Sequence, residues 1–167
     1  MRQKLTAARF GLLFGLAAVI AVGAVQSAAG AGATVVRGDQ FAGPNNCPNA
    51  QADTYRMAGD LIGCWYTDTA NVDLVNPAGV VKVSGTEHFV GCLDANHNGS
   101  CSSDENGEFR TTFTFTSKYA ATGDEIHGRC HHPIVGGSGV FEHASGELSF
   151  TDIPSEGRFP YHGPIHL

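Results

Sequence analysis

The sequence predicts an all-β protein, built as a sandwich or a barrel of antiparallel strands. Two observations carry this. Beyond the first thirty or so residues no segment shows a 3.6-residue apolar stripe; instead, short runs rich in Val, Ile, Thr, Phe and Tyr alternate between polar and apolar residues and are separated by Gly, Pro and Asn. Within Pro133–Asp152 (PIVGGSGVFEHASGELSFTD), Ile134-Val135 breaks on Gly136, Gly137 and Gly139, Val140-Phe141 follows as an apolar anchor, Ser145-Gly146 breaks again, and Glu147–Asp152 alternates. Strand, tight loop, anchor and strand make a corner in an antiparallel sheet. A barrel has the advantage over a sandwich that closure leaves no strand edge open to aggregation.

Residues 1–33 stand apart from this pattern. Arg2, Lys4 and Arg9 form a basic start, Phe10–Val25 is apolar, and Gln26–Ala33 is rich in Ala, Gly and Ser. This is the pattern of a secretory signal peptide with a small-residue linker, cut between Ser27 and Ala33. The apolar run is short of the roughly 20 residues a spanning helix needs. The expected product is therefore secreted and not membrane-embedded after processing.

Residues 34–54 read as a loop-rich segment, dense in turn residues at Gly43-Pro44-Asn45-Asn46 and Cys47-Pro48-Asn49. The barrel domain is placed at 55–167. Its strands in order are Asp60–Asp68, a short piece at Val72–Val75, Val80–Leu93 with a break at Gly85, Phe109–Tyr119, Ile126–His132, Glu147–Asp152 and Arg158–Leu167. The Asn76-Pro77-Ala78-Gly79 turn separates the second and third.

Of the 167 residues, 16 are Asp or Glu and 10 are Lys or Arg, a formal net charge of −6 that becomes about −9 once the three leader cations are gone. Phosphate recognition needs cations, so nucleic acid is not an expected partner. Five cysteines, Cys47, Cys64, Cys92, Cys101 and Cys130, lie in a chain addressed to an oxidising compartment. They predict two disulfides and one leftover thiol. Cys92–Cys101 is the most local bridge available; among Cys47, Cys64 and Cys130 the pairing stays open.

The period-two rule assigns faces. Phe109, Phe113 and Phe115 share one face; Phe159, Tyr161, Ile165 and Leu167 share another, opposite His162 and His166. Phe89 and Leu93 share a face with Glu87. If that face is interior, Glu87 is a carboxylate in an apolar lumen, where an unpaired charge is costly.

The stretch Gly136-Gly137-Ser138-Gly139-Val140-Phe141-Glu142, with Ala144, Gly146, Phe159, Tyr161 and Leu167, resembles the allene oxide cyclase family, within the barrel superfamily that also holds the plant dirigent proteins. Phe113–Tyr119 and Gly128 look like that family's preceding strand pair, so the similarity covers roughly Phe109–Leu167. It implies an antiparallel up-and-down β-barrel of about eight strands around an apolar cavity. The family's working polar residues, on its N-terminal strands, have no counterparts identified in Tyr55–Val83, and none is carried over.

Four sites are candidates for chemistry. Asp94–Glu105 fits the D-x-[DN]-x-[DN]-G-x5-E calcium template, with Asp94, Asn96, Asn98, the Ser100 carbonyl, Ser102 and Glu105 as ligands, although strands flank it and its few carboxylates predict weak binding at most. The plainer reading is a polar hairpin tip. His127, Cys130, His131 and His132 form a dense cluster in which alternation sets His127, Arg129 and His131 on one face, a transition-metal ligand set or an acid–base pair, or more plainly a solvated outer surface. Glu87 and His88 are the catalytic candidates. Phe89, Phe109, Phe113, Phe115 and Tyr161 are expected to line a lumen.

These readings converge on a secreted barrel that binds a small apolar molecule and requires no cofactor, calcium aside. The alternatives are a cyclase or isomerase working by confinement in the cavity, and a filled barrel serving as an interaction module. Oligomeric state is not legible in the sequence.

Overall fold

The computed structural model describes residues 32–43, 46–51 and 53–167. The signal-peptide reading of residues 1–33 therefore falls almost wholly outside the described residues. Among those described, eight strands close into an antiparallel barrel in which each strand pairs with the next and β8 returns to β1. They are β1 (Thr34–Ala42), β2 (Thr54–Gly59), β3 (Leu61–Val75), β4 (Val80–Leu93), β5 (Asn106–Tyr119), β6 (Glu125–Gly139), β7 (Ser145–Asp152) and β8 (Arg158–His166).

Alternation set the later strands as expected, except that Leu167, placed on the inward face by parity, lies beyond the end of β8 and is exposed. In β5, Phe109, Thr111 and Phe113 are buried while Arg110, Thr112 and Thr114 are exposed; in β8, Tyr161 and Ile165 point inward and His162 and His166 outward. The expected pieces Asp60–Asp68 and Val72–Val75 are one strand, β3, carried through bulges at Thr67/Thr69 and Val72/Leu74. The N-terminal segment corrects the sequence reading. Thr34–Ala42 is a strand rather than loop, and it closes the barrel by pairing from Thr34↔Ile165 to Phe41↔Arg158. Polar Arg37, Asp39 and Gln40 mask its pattern, and only two sheet neighbours make its backbone hydrogen bonds worthwhile.

One half of the interior is solid. Trp65 is fully buried at the centre, with Phe150 at 5.3 Å and Phe109 at 5.6 Å between ring centroids. Phe141 closes that end, 5.0 Å from Phe109 and 5.8 Å from Phe89. The glycine run explains its seat. A Cβ on Gly137 would sit 2.6 Å from the Phe141 carbonyl oxygen and 3.0 Å from its Cβ. The run is thus the last part of β6, with a register shift between Arg110 and Thr111 opposite it, rather than a free-standing loop. Tyr161 is anchored in the same half, its hydroxyl accepting a hydrogen bond from Leu61 N at 2.9 Å. Burial pushes this phenol well above the ordinary tyrosine range, the nearby Leu61 backbone contact opposing the shift.

Two disulfides, Cys47–Cys64 and Cys92–Cys101, leave Cys130 as a buried thiol. They fit an oxidising environment. No helix among the described residues is long and apolar enough to cross a membrane. Cys47–Cys64 ties the β1–β2 connection to the flank of β3. A Cys47→Ser/Cys64→Ser variant should lose about 2–3 kcal/mol, seen as a lower denaturant midpoint with little change in far-ultraviolet circular dichroism.

Candidate functional site

The other half of the barrel is open. At the end reached by the β1–β2 connection, the β3–β4 and β5–β6 hairpins and the β7–β8 turn, a cavity of about 240 Å3 enters the interior. Its walls carry five aromatic rings, Tyr55, Phe113, Phe115, Phe150 and Phe159, with Tyr55 and Phe159 packed edge to face at 5.8 Å. Its polar groups are Gln40, Asp53, Thr67, Glu87, His132 and Asp152, with the Cys130 thiol beside them.

Neighbouring strands bring the polar floor together. Thr67, Glu87 and Thr111 are directly opposed across β3, β4 and β5, so their inward side chains form one layer. The Thr67 hydroxyl donates to Glu87 Oε1 at 3.1 Å. From β6, His132 Nε2 lies 2.8 Å from Glu87 Oε2, and both side chains are about nine-tenths buried or more. No hydrogen bond forms along this contact, so Glu87 Oε2 has no hydrogen-bond partner in the protein, and His132 Nδ1, the other ring nitrogen, has none either. Cys130 Sγ is 3.3 Å from the same Nε2. Trp65 Nε1 and Thr111 Oγ1 are likewise buried and unpartnered. Burying polar atoms without partners is costly, and of these four only those of Glu87 and His132 belong to residues that line the cavity.

The electrostatics of the mouth are acidic. Asp152 meets Glu125 over Gly128, where a Cβ would stand 2.6 Å from Glu125 Oε1, 2.9 Å from Asp152 Oδ2 and 2.5 Å from the Phe115 ring. A larger residue at this position would push the two carboxyls and the Phe115 ring from these places. Burial, then the neighbouring Glu125 carboxylate, raise Asp152 to about 7. Tyr55 is pushed up to about 12, by burial first and then by Asp53, Glu87 and Asp152. Burial, with Glu87 and Asp152, also raises the Cys130 thiol, which is therefore protonated at neutral pH and no nucleophile.

The Asp152 shift has a definite consequence for stability. The folded chain holds this proton more tightly than the unfolded chain, whose carboxyl titrates near 3.8. Its stabilising contribution is complete below that value and is lost as pH rises through about 7. Allowing for partial exposure, Asp152→Asn should gain about 1–2 kcal/mol at pH 8 and almost nothing at pH 4, measured by chemical unfolding at both.

The sequence-derived candidates are distributed unevenly over this site. Glu87 is at its centre. His88, the next residue on the strand, necessarily faces outward, stacked on Tyr66 at 4.8 Å and paired with Asp68 at 2.8 Å, so it cannot act with Glu87. Phe113 and Phe115 line the cavity; Phe89, Phe109 and Tyr161 are buried in the filled half instead. His127, Arg129 and His131 face outward, His131 within 3.1 Å of Glu147. Among the described residues no three His, Cys, Asp or Glu side chains are grouped to hold a metal.

In the Asp94–Glu105 loop, Asp94 accepts from the amides of Asn98 and Gly99 at 3.0 and 2.7 Å, and Asn96 from Asn98 at 3.0 Å. Asn98 Oδ1 accepts from the Ser100 amide at 2.8 Å, and Glu105 from the Ser102 amide at 2.8 Å. These oxygens hold the loop's own backbone.

Sequence reasoning placed His132 only in the His/Cys cluster, without its partner Glu87, and missed Asp152. Both were recoverable by parity, since His132 alternates in step with Cys130, and Asp152 with Leu148 and Phe150.

Comparison with family models, with curated proteins and with solved structures finds no match for this chain.

Proposed function

We propose that this protein is a secreted barrel that takes a small, largely apolar molecule into the open half of its lumen. One observation carries the reading: a cavity walled by aromatic rings that ends on buried polar atoms lacking partners in the protein. Ligand sites combine such apolar walls with a few convergent polar groups. The resemblance of Phe109–Leu167 to the allene oxide cyclase family supports the lumen as the working surface. Placing a large side chain at the rim, Ala70→Trp, should weaken binding of a neutral fluorescent probe such as N-phenyl-1-naphthylamine by about tenfold or more without altering the fold. Unchanged binding would put the ligand elsewhere.

A second reading, a cyclase or isomerase, is favoured by the Glu87–His132 pair. A carboxylate and an imidazole 2.8 Å apart, buried at the end of a confined cavity, can remove a proton from one atom of a bound molecule and return it to another. Native mass spectrometry of protein from its own culture medium would identify a retained molecule. If that molecule is turned over, Glu87→Gln should abolish the conversion and leave the molecule bound.

A further inference from the structure

We propose that the lumen's ligand is an organic cation, an apolar or aromatic body bearing a protonated or quaternary amine. The inference rests on the reading of the lumen as a binding site and adds the chemical class of what it holds.

Every acidic side chain at the cavity is matched by no strong base. Asp53 stands at the rim, Asp152 on the wall with Glu125 behind it, and Glu87 on the floor, while among the described residues no Lys or Arg lines the cavity. His132 is the single basic group, and its position against Glu87 offsets one carboxylate at most. Asp53, Asp152 and Glu125 remain without a cation facing them from the walls. The buried Glu87 Oε2 lies 2.8 Å from His132 Nε2 yet receives no hydrogen bond in the protein. A bound anion would meet this field head-on; a neutral ligand would leave it uncompensated.

The aromatic walls point the same way. The faces of Tyr and Phe rings carry negative potential, and enclosure of a quaternary ammonium by such rings is a recurrent mode of recognition. Five rings surround this cavity, and carboxylates stand between them. Phe115 packs against the place where Glu125 and Asp152 converge, so one aromatic ring and two carboxyls border the same space. Two reporters inside the cavity feel the resulting field. Tyr55 and Cys130 are each pushed toward their neutral forms, by burial first and then by these carboxylates.

The test compares two molecules of one shape, phenyltrimethylammonium and its neutral isostere tert-butylbenzene, titrated into the purified protein at low salt and pH 8. Chemical shifts of Phe113 and Phe115 report lumen occupancy. The expected result is that the cation binds about tenfold or more tightly than the isostere, and that Asp53→Asn/Asp152→Asn removes most of that preference. Equal or tighter binding of tert-butylbenzene in the lumen would overturn the cation inference and leave the binding-barrel reading standing. Cation binding that ignores the double substitution would overturn it as well. If neither molecule enters the lumen, both readings fall.

Discussion

A His132→Leu variant should lose about 3–5 kcal/mol of stability, because it strands the Glu87 carboxylate in the middle of the barrel. Glu87 is 8 % exposed, and its remaining protein contact would be the Thr67 hydroxyl. Taking a charge out of water is tolerable only when a partner and hydrogen bonds replace that water, and His132 supplies the partner. The double variant Glu87→Leu/His132→Leu should recover most of the loss, since apolar residues of similar volume suit the surrounding Trp65, Phe113 and Phe150. Denaturant unfolding of the wild type, both single variants and the double variant gives the coupling directly. Additive losses would show that the pair is a chance proximity, and the acid–base reading would lose its basis.

Removing the plug at the filled end should be equally damaging. Phe141→Ala is expected to cost about 3–5 kcal/mol, from lost burial together with the void left beneath Phe89 and Phe109. Collapse cannot fill that void, because the ring is seated between rigid backbone at Gly107 and Gly137. The loss should appear as faster unfolding, with lumen binding at the far end retained in the folded fraction. A cost below about 1 kcal/mol would mean that the corner is a flexible flap rather than part of the core.

These two residues mark how far local reading goes. Phe141 was legible as an apolar anchor after the glycine corner, and its environment is the one that such an anchor requires. His132 was visible only as one of a cluster of histidines, and its partner lies 45 positions away on another strand. Nothing in either residue's neighbourhood announces the other. Likewise, Phe109 and Phe113 share a strand face and look equivalent in the sequence, yet Phe109 fills the core and Phe113 lines the cavity. The difference arises from depth along the barrel axis, which periodicity does not encode. The pairing of Cys47 with Cys64 follows from where the β1–β2 connection lands, whereas Cys92–Cys101 was readable from closeness in sequence.

The sequence by itself determined the strand class and the alternating faces of β5 and β8, because each depends on residues within a few positions of one another, and the number of bridges, because that follows from five cysteines in an oxidising compartment. Only the tertiary structure decided that Thr34–Ala42 closes the sheet, that one half of the interior is solid and the other open, and that Glu87 meets His132 there. Those outcomes depend on register carried around a closed ring of eight strands, where each side chain's height is set by all the pairings before it.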